Sequence, residues 1–215
     1  LPSNPLGTIL TKEEKDELIK IIANNNIFVV TDEIYESLIY EEYYSVAEEK
    51  EILDKVIYIS GFSKMFSMTG LRVGYFAAQK QLMDEIMKVH QYNVSCATSI
   101  CQWAALEGLR NGLDDVENMR NVLRERKDYV ISELRNMGLE VNEPKGAFYV
   151  FPSIKKFNMS SEEFCLKLLN EEKIACVPGS SFGIGGEGYI RISYCYSMEE
   201  LKKALLGLKK FINKI

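Results

Sequence analysis

Apolar positions recur along this chain first at helical spacing, then in short β-branched runs, and the alternation between the two patterns repeats to the C-terminus. Thr11-Lys-Glu-Glu-Lys opens a helix that Thr11 caps and whose dipole Glu13 and Glu14 favour, with Leu18, Ile21 and Ile22 on its buried face. Ile27-Phe-Val-Val-Thr-Asp32 is apolar and ends in a carboxylate, the pattern of a buried parallel strand. A loop and a short helix lead to a second strand at Val56 to Ser60, and Gly74 to Ala78 reads as a third. Helices are predicted from about Gln81 to Gln91 and from Thr98 to Gly108, before a long charged helix from Leu113 to Met137. From Leu139 onward the pattern is α+β. Gly146 to Phe151, Ile174 to Val177 and Tyr189 to Tyr194 are strands, Ser161 to Glu172 is a helix, and Met198 to Ile212 is a closing amphipathic helix. The fold class is therefore α/β, with residues 1–112 in one domain, 113–138 as a connecting helix and 139–215 as a small C-terminal α+β domain.

Composition narrows the function classes. At 215 residues and 47% hydrophobic, the chain has enough apolar surface for a substantial core. A net charge of −5 offers no basic footprint for nucleic acid, and no apolar run reaches the length of a membrane span. The five cysteines are odd in number and lack metal-ligand spacing, so reduced thiols in a cytoplasmic protein are the expectation, with no metal site. No signal peptide is visible, although the chain does not begin with methionine. With a single histidine, His90, a histidine triad or histidine-rich metal centre is excluded.

The candidate chemistry lies in Gly61-Phe-Ser-Lys64-Met-Phe-Ser-Met-Thr-Gly70-Leu-Arg72-Val-Gly74, where one lysine precedes one arginine among apolar, small and hydroxylated neighbours. A lysine buried without a carboxylate partner is poorly placed for structure. It is well placed as an amine nucleophile for an aldehyde. Arg72 presents a planar fork of donors suited to a phosphate. An aldehyde and a phosphate on one ligand describe pyridoxal 5'-phosphate (PLP). Such a cofactor needs a carboxylate beside its ring nitrogen, and Asp32, at the C-terminal edge of a predicted strand, stands where open α/β sheets bind ligands.

The Gly61–Gly74 segment resembles the PLP-attachment signature of the class I and II aminotransferases, the fold-type I PLP enzymes, and its Met-Thr-Gly-x-Arg form looks like the branch that contains many aspartate and aromatic aminotransferases. The resemblance implies a homodimer and the C-terminal part of the family's large domain, a mostly parallel sheet in which Gly74–Ala78 runs antiparallel, followed by the small domain. It implies that Lys64 holds PLP covalently, as a Schiff base, and moves the proton. It also implies that Asp32 pairs with the pyridinium, that Tyr35 and Asn4 hydrogen-bond the phenolic oxygen, and that Ser63 and Arg72 contact the cofactor. Asn4 lies in Asn-Pro-Leu-Gly7, similar to the family's Asn-Pro-x-Gly turn, with leucine where threonine or glycine is usual. Gly188-Tyr-Ile-Arg191-Ile-Ser-Tyr194 resembles the strand whose arginine takes the substrate's α-carboxylate.

The implied reaction is amino-group exchange between amino acids and 2-oxo acids. A β-lyase or synthase on the same scaffold is one alternative, and the PLP-sensing domain of a transcription regulator is another. The resemblance covers all of this chain but about the C-terminal half of the family's length, so weak cofactor binding and little turnover are expected of these residues alone. Other signals carry less. Gly183-Ile-Gly-Gly-Glu-Gly188 imitates a dinucleotide loop but precedes a strand, and reads as a flexible connection. His90 reads as an ordinary helix residue, Trp103 as core, and Tyr43 and Tyr44 as surface loop.

Overall fold

The computed structural model describes residues 1–215, which pack as two compact units: Leu1–Pro2 with Thr8–Arg120, and Ser3–Gly7 with Asn121–Ile215.

In the first unit, α1 (Lys12–Asn24) begins in a capping box, with the Thr11 hydroxyl accepting from the Glu14 N–H at 3.2 Å and the Glu14 carboxylate accepting from the Thr11 N–H at 2.8 Å. Its last turn contains no basic residue, and Lys55 supplies one from outside the helix. The Lys55 ammonium donates to the carbonyls of Ile22, Ala23 and Asn25 at 2.9, 3.1 and 2.9 Å, satisfying acceptors that a helix C-terminus leaves open. Ile19 and Ile22 of this helix pack with Val46, Ile52 and Val56.

The sheet has the order β1 (Val29–Asp32), β2 (Val56–Gly61), β3 (Gly74–Ala78), parallel between the first pair and antiparallel between the second. The expected antiparallel third strand is thus present. β1 is less covered than its composition predicts, because it pairs only with β2, and Phe28 and Val30 remain exposed. Between β2 and β3 run the short helix α2 (Phe62–Met65) and a 3-10 turn at Thr69–Leu71. Gly61 and Gly74 face each other across the ladder, and a Cβ on Gly61 would stand 2.9 Å from the Gly74 Cα.

Two further helices follow, α3 (Lys80–Asn93) and α4 (Ser99–Asn111). Cys101 and Ala105 of α4 pack on Phe62 and Val73, and Gly108 receives the Phe66 ring, which a Cβ there would meet at 2.9 Å. These three positions lie on one helix face, which places Trp103 on another, and Trp103 is 69% exposed instead of core. His90 is an ordinary residue of α3, edge-on to Phe76.

The long helix α5 (Leu113–Asn136) leads into the second unit, where β4 (Tyr149–Val150), β6 (Ile190–Ser193) and β5 (Val177–Pro178) form an antiparallel sheet in the order β4-β6-β5. β4 and β5 are shorter than the apolar runs predict. Ala147, just before β4, adopts a left-handed backbone with φ of 61°, and β5 begins four residues after the left-handed Lys173 and passes directly into a 3-10 turn at Gly179–Phe182. The helices α6 (Ser161–Glu172) and α7 (Met198–Ile212) have the bounds that their periodicity indicates. Phe164, Leu168, Tyr194, Leu208 and Phe211 are buried in this unit, with the Phe164 and Phe211 rings edge-to-face at 5.1 Å. No helix is long and apolar enough to cross a membrane.

Candidate functional site

In the first unit, the C-terminal ends of β1 and β2 lie side by side, with Asp32 in register with Ile59. Adjacent strands are about 4.8 Å apart. The last residue of β1 therefore stands beside β2 two residues before that strand ends at Gly61 and passes into α2, which carries Ser63 and Lys64. Both are half-buried. Tyr35, buried to 7% exposure, brings its ring to 5.6 Å from the Lys64 Nζ, so two of the expected residues stand together. Asp32 is exposed, and its Oδ1 accepts from the Ile34 N–H at 3.1 Å. That contact holds the turn bringing Tyr35 under Lys64 and uses one of the two carboxylate oxygens.

The segment after Lys64 closes on itself. The Met68 N–H reaches the Phe62 carbonyl at 3.3 Å, and the Thr69 hydroxyl donates to the Ser63 carbonyl at 3.1 Å. Ser67 and Arg72 adopt left-handed backbone conformations, φ 55° and 54°, which reverse the chain at each end of the 3-10 turn. Arg72 is exposed, with its Nη1 donating to the Thr69 carbonyl at 2.9 Å. An amine, a carboxylate and a guanidinium thus come from one end of one sheet and the loop that follows it. As a donor set they fit a ligand that combines aldehyde, protonated ring nitrogen and phosphate.

A neighbouring acidic region has a different character. Glu33 is buried and accepts from the hydroxyls of Thr31 and Ser45 at 2.9 and 2.6 Å, while Glu36 accepts from those of Tyr58 and Ser60. Glu33, Glu36, Ser45, Tyr58 and Tyr43 line a cavity of about 430 Å³. Burial first, then the carboxylate of Glu36, raises the pKa of Tyr58; burial and Glu33 do the same for Tyr43. Tyr43 and Tyr44 are half-buried instead of surface residues, and the Lys15 ammonium lies 5.7 Å from the Tyr44 ring centroid.

In the second unit the Asn4 turn is fixed by Gly7, whose N–H donates to the Ser3 carbonyl at 2.8 Å and whose carbonyl accepts from the N–H groups of Lys145 and Gly146 at 2.9 and 3.2 Å. Gly7 has φ of 66°, and a Cβ there would lie 2.5 Å from the Pro144 Cβ. The turn therefore docks on the segment before β4. In the same unit the Arg191 Nη1 donates to the Asn4 Oδ1 at 2.9 Å, joining residues 187 positions apart. Its guanidinium carbon lies 4.4 Å from the Tyr149 ring centroid and 5.1 Å from that of Phe182. Tyr149 is not marked out by its local sequence. The sharp turn Pro178-Gly-Ser-Ser-Phe182-Gly just before the arginine strand is the signal that points to Phe182. The glycine-rich stretch after it connects to β6 through a 3-10 turn at Ile184–Gly186.

The sequence matches the family described as "Aminotransferase class I and II" over residues 1–208. The chain belongs to this aminotransferase family. It is 48% identical over 214 residues to a Bacillus subtilis protein described as "Probable N-acetyl-LL-diaminopimelate aminotransferase", covering 99% of this chain and 54% of that protein. It is 39% identical over 215 residues to an aspartate aminotransferase of Pyrococcus abyssi, covering 98% of this chain and 55% of the relative. Among solved structures, the aromatic aminotransferase from Pyrococcus horikoshii superposes with a TM-score of 0.94 at 37% identity, covering 99% of this chain and 58% of that one. The chain spans about half the length of the curated relatives it matches. It has the fold of a C-terminal portion of a fold-type I aminotransferase.

Proposed function

We propose that this chain is the lysine-bearing portion of a PLP-dependent aminotransferase that exchanges amino groups between amino acids and 2-oxo acids, of the aspartate and aromatic type. The observation that carries the proposal is the delivery of Asp32 and Lys64 by the adjacent ends of two parallel strands, with the Tyr35 ring 5.6 Å from the lysine Nζ. The relatives with aspartate and aromatic activities support the substrate class.

When bound, PLP supplies an aldehyde for covalent exchange and an electron-withdrawing ring that stabilises negative charge at the substrate's Cα. The Lys64 Nζ is the attachment amine. Its free amine would be the base that takes the proton from the substrate's Cα and the acid that returns one. Asp32 holds a proton on the ring nitrogen. Tyr35 would donate to the phenolic oxygen, and Asn4 is suited to the same role through its amide nitrogen, because its Oδ1 accepts from Arg191. Arg72 and Ser63 hold the phosphate. Arg191 orients the substrate through its α-carboxylate. Large apolar side chains exposed on α3 and α4, including Tyr92, Ile100 and Trp103, support assembly with further protein surface, and a homodimer is the form we propose.

The test is borohydride reduction of the PLP-loaded full-length enzyme, followed by peptide mapping and a screen of amino donors. A pyridoxyl adduct on Lys64 with turnover of aspartate or an aromatic amino acid is the expected result. An adduct on another lysine would overturn the assignment.

A further inference from the structure

We infer that Phe182 and Tyr149 are positioning residues for Arg191, and that Phe182 in particular sets the affinity of the site for the substrate's α-carboxylate. The inference rests on the proposed role of Arg191.

Three contacts limit how the guanidinium can turn. Tyr149 and Phe182 each place a ring within cation–π distance of its carbon, 4.4 and 5.1 Å, and Asn4 takes Nη1 at 2.9 Å. The Nε atom is buried and has no hydrogen-bond partner. A buried donor left unpaired costs stability, and on an arginine the remaining in-plane edge, Nε with Nη2, matches the two oxygens of one carboxylate. The site thus presents a fork already oriented for a planar anion.

Both rings are rooted in structure that needs no ligand. Tyr149 is buried in β4, in register with Ser193, two residues along β6 from Arg191. Phe182 ends the 3-10 turn Gly179–Phe182 and meets the buried Phe151 ring edge-to-face at 5.9 Å and 87°. That turn is pinned at its base. The Gly179 N–H donates to the Tyr189 carbonyl at 2.8 Å, and a Cβ on Gly179 would stand 2.0 Å from the Gly186 carbonyl oxygen. Holding the guanidinium before substrate arrives reduces the ordering cost of binding. Losing one ring face should therefore weaken the grip on the carboxylate and leave cofactor attachment to Lys64 unchanged.

The experiment uses the full-length PLP-loaded enzyme with Phe182→Leu, Phe182→Tyr and Arg191→Lys. It reads kcat and KM for the best amino donor, the Kd of 3-phenylpropanoate as an unreactive monocarboxylate, and the absorbance of the attached cofactor. Phe182→Leu should raise KM and the 3-phenylpropanoate Kd about tenfold with unchanged cofactor absorbance, and Phe182→Tyr, which keeps a ring, should stay within about twofold of wild type. If Phe182→Leu fails to fold, Phe182→Met carries the same expectation. Unchanged KM and Kd in the leucine or methionine variant, beside a large loss in Arg191→Lys, would overturn the positioning role alone. Equal losses in cofactor attachment and carboxylate binding would show a structural role and also overturn it. No effect in Arg191→Lys would instead remove the assigned role of Arg191, on which the inference rests.

Discussion

Lys64 has a local setting that only a few of its neighbours explain. Gly61 and Gly74 bracket the segment because their backbones approach too closely for a side chain, and Phe66 seats on Gly108. Lys64→Ala should therefore abolish covalent cofactor attachment and leave the fold intact, because the side chain removed is half-buried and not among those packing the Phe62 core. Peptide mapping after borohydride reduction, beside a circular dichroism spectrum, checks both parts. Arg191→Lys replaces a planar fork with a point charge, so it loses the paired geometry as well as the ring stacking. A fall in kcat/KM of about one to two decades is expected, from roughly 1.5 to 3 kcal/mol of lost charge-assisted bonding. Steady-state kinetics with unchanged cofactor absorbance would bear this out; an unchanged kcat/KM would make the arginine structural.

Secondary-structure elements show where period and composition sufficed. The bounds of α6 and α7 follow directly from their apolar spacing and caps, including the second capping box at Ser197 and Glu200. Strands were less legible, because their extent is a property of the partner as well as of the segment: β4 pairs with β6 only over Tyr149–Val150 and β5 only over Val177–Pro178. The C-terminus of α1 makes a related point, since its stabilising cation comes from Lys55, more than thirty residues beyond its carbonyl partners Ile22 and Ala23. Lys55→Met should cost about 1.5 to 3 kcal/mol in a urea titration, the range for hydrogen bonds to a charged group. Gly61→Ala should be destabilising by about 1 to 3 kcal/mol, because the new methyl meets the Gly74 backbone, which has no side chain to turn aside. A stability equal to wild type would mean that β2 and β3 separate without cost.

Across the whole chain, the five thiols are free but differ in chemical state. Burial pushes the Cys165 thiol up to about 11, and burial, with a smaller contribution from Cys165, pushes Cys176 to about 12, its thiol being more enclosed than the residue as a whole. Burial disfavours the thiolate, the reactive form, so alkylation near pH 8 should modify the exposed Cys96 and Cys195 and spare these two. Mass spectrometry after brief iodoacetamide treatment provides the measurement. The same shifts have a definite sign for stability. Above the ordinary thiol value near 9 the unfolded chain loses protons that the folded chain keeps, so stability is fully present below that pH. It should fall as pH rises from about 9 through the folded values of about 11 and 12. Cys165→Ala with Cys176→Ala should flatten that slope in denaturation curves recorded across the window.

The sequence by itself determined the class of fold, the long helices and the candidate residues of the Gly61–Gly74 segment, because each is written in local spacing or in the rarity of a charged group among apolar ones. Lys64, Asp32 and Arg72 stand out for that reason. Only the tertiary structure decided that Tyr35 lies under Lys64, that Asn4 holds Arg191 across 187 residues, and that Phe182 and Tyr149 flank its guanidinium. These relations arise from strand register, from a glycine turn docked on a distant segment and from backbone approaches that one-dimensional spacing does not encode. Trp103 illustrates the same limit in reverse: its helical spacing fits a core position, but the face of α4 that packs is chosen by Phe62, Val73 and Phe66, which lie outside the helix.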